Sequence, residues 1–177
     1  MFRIVFLISG LLCVAAASEG PGPLYTLSTI AGTGPQDQSK AFIPETLAFD
    51  GAGNLYIGDI SGSVHRVTSS GKMVTIAGPG VSGFSADGAN GTIQLGSPLG
   101  VAADASGSVY IADTSHNRVL KLTSTGTVTT LAGTGTAGST GDRGPAPAAQ
   151  INQPFALAVD RLGNVYIGST PAPVCAR

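Results

Sequence analysis

Three stretches of this chain are variants of one pattern, and that repetition constrains the fold more than any single residue does. They are residues 44–59 (PETLAFDGAGNLYIGD), 98–113 (PLGVAADASGSVYIAD) and 154–169 (PFALAVDRLGNVYIGS). Their aspartates step from 50 to 104 to 160, giving periods of 54 and 56 residues. A second element recurs between them as Ile30-Ala31-Gly32, Ile76-Ala77-Gly78 and Leu131-Ala132-Gly133. In each copy a short apolar run such as Leu47-Ala48-Phe49 leads into Asp-x-x-Gly. The Asp side chain accepts from its own downstream backbone N–H groups, and the Gly accepts positive φ, which together make a tight turn. A return run such as Leu55-Tyr56-Ile57 follows, and short apolar strands joined by hairpin-length loops pair antiparallel. Asp50 and Gly53, Asp104 and Gly107, and Asp160 and Gly163 are therefore read as structural turn residues.

Residues 64–67 and 119–122 supply a third strand in their repeats, and residues 73–76 and 128–131 a fourth. Four antiparallel strands per repeat make one blade of a propeller. The composition agrees with an all-β chain: 26 glycines punctuate β-branched runs, and charged residues make up only 11%. A chain this poor in charge and rich in apolar residues does not have the signature of disorder. The formal net charge is −1 and Lys/Arg clusters are missing, which argues against a nucleic-acid partner, because phosphate neutralisation needs such clusters.

The N-terminus has the three parts of a secretory signal. Arg3 gives a positive start, residues 4–14 are almost wholly apolar, and Ala15-Ala16-Ala17 supplies small residues before polar Glu19-Gly20-Pro21. The apolar run is shorter than the roughly 20 residues that span a bilayer. Residues 1–17 are expected to be a signal peptide, residues 18–24 a linker, and the product secreted or periplasmic, with no membrane partner after cleavage. Cys13 follows Leu12 rather than the small residue of a lipobox. Cleavage after Ala17 lowers the basic count from 9 to 8 against 10 acidic residues, a net charge of −2, and leaves Cys175 as the only cysteine. An odd cysteine in an exported chain closes no internal disulfide.

The repeat pattern, with Asp113-Thr114-Ser115-His116-Asn117-Arg118-Val119 between the second and third strands, resembles the NHL repeat. It is similar to the exported bacterial variety with long loops between blades. Residues 141–154 (GDRGPAPAAQINQP) resemble such a loop, and residues 83–88 (GFSADG) are a partial second copy. The resemblance covers residues 25–170. The first repeat departs from it: its turn, residues 59–64, is one residue shorter and has no arginine at the position of Arg118. The implied fold is an incomplete β-propeller of NHL-type four-stranded antiparallel blades.

Labelling the strands of a blade a to d, residues 25–30 form a d-type strand. Two full a-b-c-d sets follow, then a third a strand (residues 154–159) and b strand (residues 164–167). The resemblance implies a ring of about six blades, closed when the N-terminal d strand joins the last a, b and c strands. Such a ring needs roughly 330 residues. No c strand is expected after residue 167, because Pro171 and Pro173 remove ladder donors and leave residues 171–177 an irregular tail. The expectation is an N-terminal fragment, or the product of a frameshift or early stop that is non-functional as it stands, with Cys175 a chance residue of the tail. The alternative is several chains sharing one ring.

Chemistry is sparse. His65 and His116 are the only histidines. They fall at non-equivalent places, a third strand and a turn, and His116 reads as a loop residue bonding local backbone. Neither zinc spacing, a phosphate loop nor a nucleophile elbow is present, so the reading has no cofactor and no metal. Asp50, Asp104 and Asp160 invite a ring of ligands, yet turn formation accounts for each. Asp59 and Asp113 read as turn caps, with Arg118 and Asp113 an exposed pair contributing only about 0–1 kcal/mol. Long loops often carry function, which makes Asp87, Gly88, Asp142 and Arg143 the candidate ligand loops. Asn90-Gly91-Thr92 fits a glycosylation sequon, of consequence only in a eukaryote. Resemblance to the fold family implies a secreted module for a protein or glycan ligand, a scaffold rather than an enzyme. Related propellers include lactonases and an amidating lyase with a central metal. Their sites need carboxylates or histidines on the inner strands, where residues 46–49, 100–103 and 156–159 are apolar here.

Overall fold

The computed structural model describes residues 3–8, 11–17, 25–31, 43–78 and 94–171. Two compact units divide at Pro44/Glu45. In the first, β1 (Arg3–Ile8), β2 (Leu11–Ala17) and β3 (Tyr25–Ala31) form a three-stranded antiparallel sheet in that order. The register runs from Arg3 opposite Ala16 to Ile8 opposite Leu11, and from Ala17 opposite Tyr25 to Leu12 opposite Ala31. The strand expected to close a blade, β3, thus takes its backbone partner from the segment expected to be a signal. A strand's N–H and C=O groups need a ladder, and β2 supplies one.

The second unit is built from the repeats. Blade 1 is the sheet β4 (Pro44–Phe49), β5 (Leu55–Asp59), β6 (Ser63–Val67), β7 (Met73–Ala77). Blade 2 is β8 (Pro98–Ala103), β9 (Val109–Asp113), β10 (Arg118–Leu122), β11 (Val128–Ala132). A third sheet holds β12 (Pro154–Val159) and β13 (Val165–Ser169), two strands among the described residues. All neighbours within the second and third sheets pair antiparallel. The only helical pieces described are single 3-10 turns at Thr114–His116 and Ala146–Ala148. No described helix is long and apolar enough to cross a membrane.

Consecutive blades pack face to face: β8 lies against β5, and β12 against β8 and β9. The core between blades 1 and 2 joins Tyr56, Val64 and Ala77 to Leu95, Val101, Val109, Ile111, Leu120, Leu122 and Val128. The b strands are buried along their whole length in both complete blades, because each b strand is internal to its sheet and covered on its faces. Gly100 permits the close approach of the third sheet, since a Cβ there would stand 2.8 Å from the Phe155 carbonyl oxygen. The two-strand sheet leaves Phe155 and Tyr166 exposed. The tail beyond Pro171, Cys175 included, lies outside the described residues.

Candidate functional site

The repeat aspartates are hubs of their turns. Asp50 Oδ1 accepts from the backbone N–H groups of Ala52 and Asn54, each at 2.9 Å. Asp104 Oδ1 does the same with Ser106 (2.9 Å) and Ser108 (3.0 Å), and Asp160 Oδ1 with Leu162 (2.9 Å) and Asn164 (2.8 Å). Gly53, Gly107 and Gly163 sit at φ of 80°, 81° and 85°, where a side chain is disfavoured. The second carboxylate oxygen has a use that turn chemistry does not reveal. It accepts from the tyrosine six residues on: Tyr56 at 3.0 Å, Tyr110 at 3.1 Å and Tyr166 at 3.2 Å. The Asp-x-x-x-x-x-Tyr spacing is visible in all three repeats and could have signalled this tie between the a–b turn and the middle of the b strand.

These bonds set the protonation of the group. Burial pushes the Asp104 carboxyl up, but hydrogen bonds from Ser106, Ser108 and Tyr110 outweigh it and hold its pKa at about 2. Asp50 is lowered by the same balance, its burial overcome chiefly by Asn54 and Tyr56. Asp160 is lowered mainly by the Asn164 side chain. Burial, then the bond to Asp50 and that carboxylate's charge, push the Tyr56 phenol up to about 12 against the opposing pull of Arg66. A lowered carboxyl pKa means the ionised form belongs to the fold. Its contribution is present above the free-Asp pKa of about 3.9 and is lost as the pH falls through the folded value. Asp104→Asn should therefore lower stability at pH 7 and flatten the acid limb between about pH 4 and 2. Thermal melts over that range check it, and a variant as acid-sensitive as the parent contradicts it.

The end of the b strand holds a different arrangement. Asp113 is fully buried, and Arg118, directly opposite it in the ladder, is 1% exposed. Arg118 Nε donates to Asp113 Oδ2 at 2.9 Å, and the Gly96 N–H donates to Oδ1 at 2.7 Å. The pair is therefore not the exposed one expected from its turn position, because residues 94–98, entering blade 2, cover it. Nor is His116 confined to backbone: its Nδ1 lies 3.0 Å from Asp113 Oδ2. The same turn fastens the next sheet. Thr114 Oγ1 donates to the Pro154 carbonyl at 2.6 Å, and the Gln153 N–H donates to Asn117 Oδ1 at 2.9 Å. In blade 1, Asp59 accepts from the Ser61 N–H at 2.8 Å, and His65 Nε2 stands 3.8 Å from its Oδ2. The two histidines, non-equivalent in alignment, thus face equivalent aspartates. In blade 1 the strand residue His65 takes up part of the place that Arg118 fills in blade 2.

The long loop after β11 is ordered by its own backbone. Gly133 N–H donates to the Ala146 carbonyl, Thr134 N–H to Ala149, and Thr140 and Gln150 form an isolated bridge. Asp142 and Arg143 stand exposed at its tip, Arg143 at a φ of 64°. The companion candidates Asp87 and Gly88 lie outside the described residues. Among the described residues no group of three or more His, Cys, Asp or Glu side chains could hold a metal ion. The inner strands β4, β8 and β12 bring Asp50, Asp104 and Asp160 to their ends, but each carboxylate turns back onto its own repeat.

Comparison with known proteins agrees with this geometry. Residues 95–122 match the NHL repeat, so the span from Leu95 through the Asp113–Arg118 turn to Leu122 carries that repeat. No curated protein matches the chain in sequence. Among solved structures, a Bacteroides thetaiotaomicron protein of unknown function superimposes with a TM-score of 0.74 at 21% identity, over 94% of this chain and 41% of its own. An auxiliary nutrient binding protein from the same organism gives 0.69 at 18%, over 94% and 42%. Virginiamycin B lyase from Staphylococcus aureus gives 0.53 at 11%, over 93% and 47%. The chain spans less than half the length of these proteins. Their likeness establishes the blade architecture, and their roles are mixed.

Proposed function

We propose that this NHL-repeat protein is an exported interaction module that presents a pre-ordered loop to a protein or glycan. The observation that carries the reading is the loop of residues 133–153. Its backbone bonds and short 3-10 turn fix it against β11, while residues 139–148 are all exposed. A loop held in one shape loses little conformational entropy when it binds, which is how rigid scaffolds make loops into recognition surfaces. The apolar inner strands favour binding over catalysis, since a central reaction site would draw its acids and bases from them. Export rests on the charged start, apolar stretch and small residues of positions 1–17, and on the similarity to a nutrient binding protein.

The full chain, expressed with its own N-terminus, should appear outside the cytoplasm and begin at Ser18 by N-terminal sequencing. On a glycan array it should bind a discrete set of glycans. A double variant, Asp142→Ala with Arg143→Ala, should lose that binding at an unchanged melting temperature. Retained binding by the double variant, or chelator-sensitive turnover of a lactone, would contradict the proposal.

A further inference from the structure

Among the described residues, no strand pairs with the edge of β13 that faces away from β12. Its equivalents are not left so, since β5 pairs with β6 and β9 with β10. The Asp160 N–H donates to the Asn164 carbonyl, and an antiparallel ladder alternates from there. Val165 and Ile167 therefore turn their N–H and C=O groups away from β12. Such a row of backbone groups is a template for another strand. Proteins blunt exposed edges with charge or proline, and residues 163–170 carry neither. Tyr166 is 59% exposed, against 2% for Tyr56 and 3% for Tyr110 at the same place in their blades.

The two complete blades specify the strand that fits. An aliphatic residue stands opposite the start of the b strand, Val67 facing Leu55 and Leu122 facing Val109. A cation stands opposite the tyrosine, Arg66 at Tyr56 and Lys121 at Tyr110. Arg66 hydrogen-bonds the Tyr56 side chain, and the Lys121 ammonium lies 5.4 Å from the centre of the Tyr110 ring. A valine stands opposite the small residue, Val64 at Gly58 and Val119 at Ala112. Carried over to β13, the same register sets an aliphatic residue against Val165, a cation against Tyr166 and a valine against Gly168. Asp160, whose Oδ2 accepts from the Tyr166 hydroxyl at 3.2 Å, adds attraction for the cation. The last position decides between the two templates. β5 and β9 end in Asp59 and Asp113, with Ser63 and Arg118 opposite, whereas β13 ends in Ser169. An arginine there would meet no carboxylate, so a small residue of the Ser63 kind fits.

We infer that the outer edge of β13 binds an extended segment of a partner protein, antiparallel to β13, that reads small residue, valine, any residue, cation, aliphatic residue. Backbone bonds supply the affinity of such strand addition, and alternate side chains supply its selectivity. A second copy of this chain is the poorer donor, because its own segment of this kind, β6, is already held between β5 and β7. The inference stands apart from the loop reading above, since the edge is formed by residues 165–169 and the loop by residues 133–153.

A labelled peptide of residues 62–69 (GSVHRVTS) carries this chemistry, and fluorescence anisotropy with the full chain tests it. The peptide should bind saturably. Glutamate in place of its arginine should weaken binding about tenfold, through the lost contact with the Tyr166 ring and repulsion by Asp160. N-methylation of its histidine, whose N–H faces Ile167 in this register, should abolish binding while leaving the protein untouched. A peptide of residues 117–124 (NRVLKLTS) should bind about tenfold more weakly than the first, because its arginine falls opposite Ser169. Ser169→Asp, at an exposed position, should reverse that order at an unchanged melting temperature. No binding of the first peptide, indifference to N-methylation or to the glutamate change, or an unreversed order in Ser169→Asp overturns the inference. So does a dimer of the full chain that excludes the peptide, since the edge then belongs to a second copy.

Discussion

Asp113→Ala is expected to cost the protein about 3–5 kcal/mol, the largest single loss outside the apolar core. The carboxylate is fully buried and holds three groups at once: the Gly96 N–H, the Arg118 guanidinium and the His116 ring. Truncation takes from Arg118, 1% exposed, the carboxylate that its Nε meets at 2.9 Å, and the desolvation of that buried guanidinium rather than the lost attraction dominates the cost. The loss should spread beyond blade 2, because the turn that Asp113 orders also carries Thr114 and Asn117, whose bonds to Pro154 and Gln153 hold the third sheet. Against a typical stability of about 5–15 kcal/mol, the variant should be near its folding limit at 37 °C. Urea denaturation measures it, with Asp59→Ala as the companion. Asp59 has a backbone donor and a histidine at 3.8 Å in place of the close arginine, so its loss should be about 1–2 kcal/mol. Equal losses at the two sites would show that the arginine pairing is not what distinguishes blade 2.

Ile111→Ala should cost about 2–5 kcal/mol. Ile111 has no exposed surface and lies in the core shared by blades 1 and 2, on a strand with ladders on both sides. Such a site collapses poorly around a cavity, because flanking backbone is pinned by hydrogen bonds to β8 and β10, which places the cost in the upper half of the range. Met73→Ala, at 48% exposure on the edge strand of blade 1, should stay within about 0.5 kcal/mol. A small effect at Ile111 would mean that the two blades do not share a packed core.

Most of the second unit is legible in the sequence for a local reason. In blades 1 and 2, β4, β5, β6, β8 and β10 are short apolar or β-branched runs ended by a residue, Asp50, Asp59, Thr68, Asp104 or Thr123, whose side chain accepts from the backbone of its own turn. Asp50, Asp104 and Asp160 announce their turns because the acceptor and donors lie within four residues of each other. The tyrosine partner, six residues away, needs the hairpin to have formed before it can reach, and so escapes a turn rule. The environment of Arg118 escapes for a stronger reason. Whether a pair five residues apart is exposed depends on the connector at Gly96, some twenty residues earlier, folding over it. A surface pair and a buried pair have the same local sequence, but their energetic consequences differ several-fold.

The N-terminal unit marks another boundary. The apolar pattern of residues 4–14 and the strand-forming pattern of residues 25–30 are both plain in the sequence, but neither pattern says that the two segments share a sheet. The ladder between β2 and β3 is a tertiary outcome. Removal of residues 1–17 would leave β3 to find another edge.

By itself, then, the amino-acid sequence determined the repeat, the four-strand blade and the turn residues, because these depend on alternation, glycine and short-range side-chain-to-backbone bonds. Only the tertiary structure decided which polar groups are buried and which histidine meets which aspartate. Those depend on what a neighbouring blade covers, and burial is a property of the packed sheets rather than of any stretch of chain.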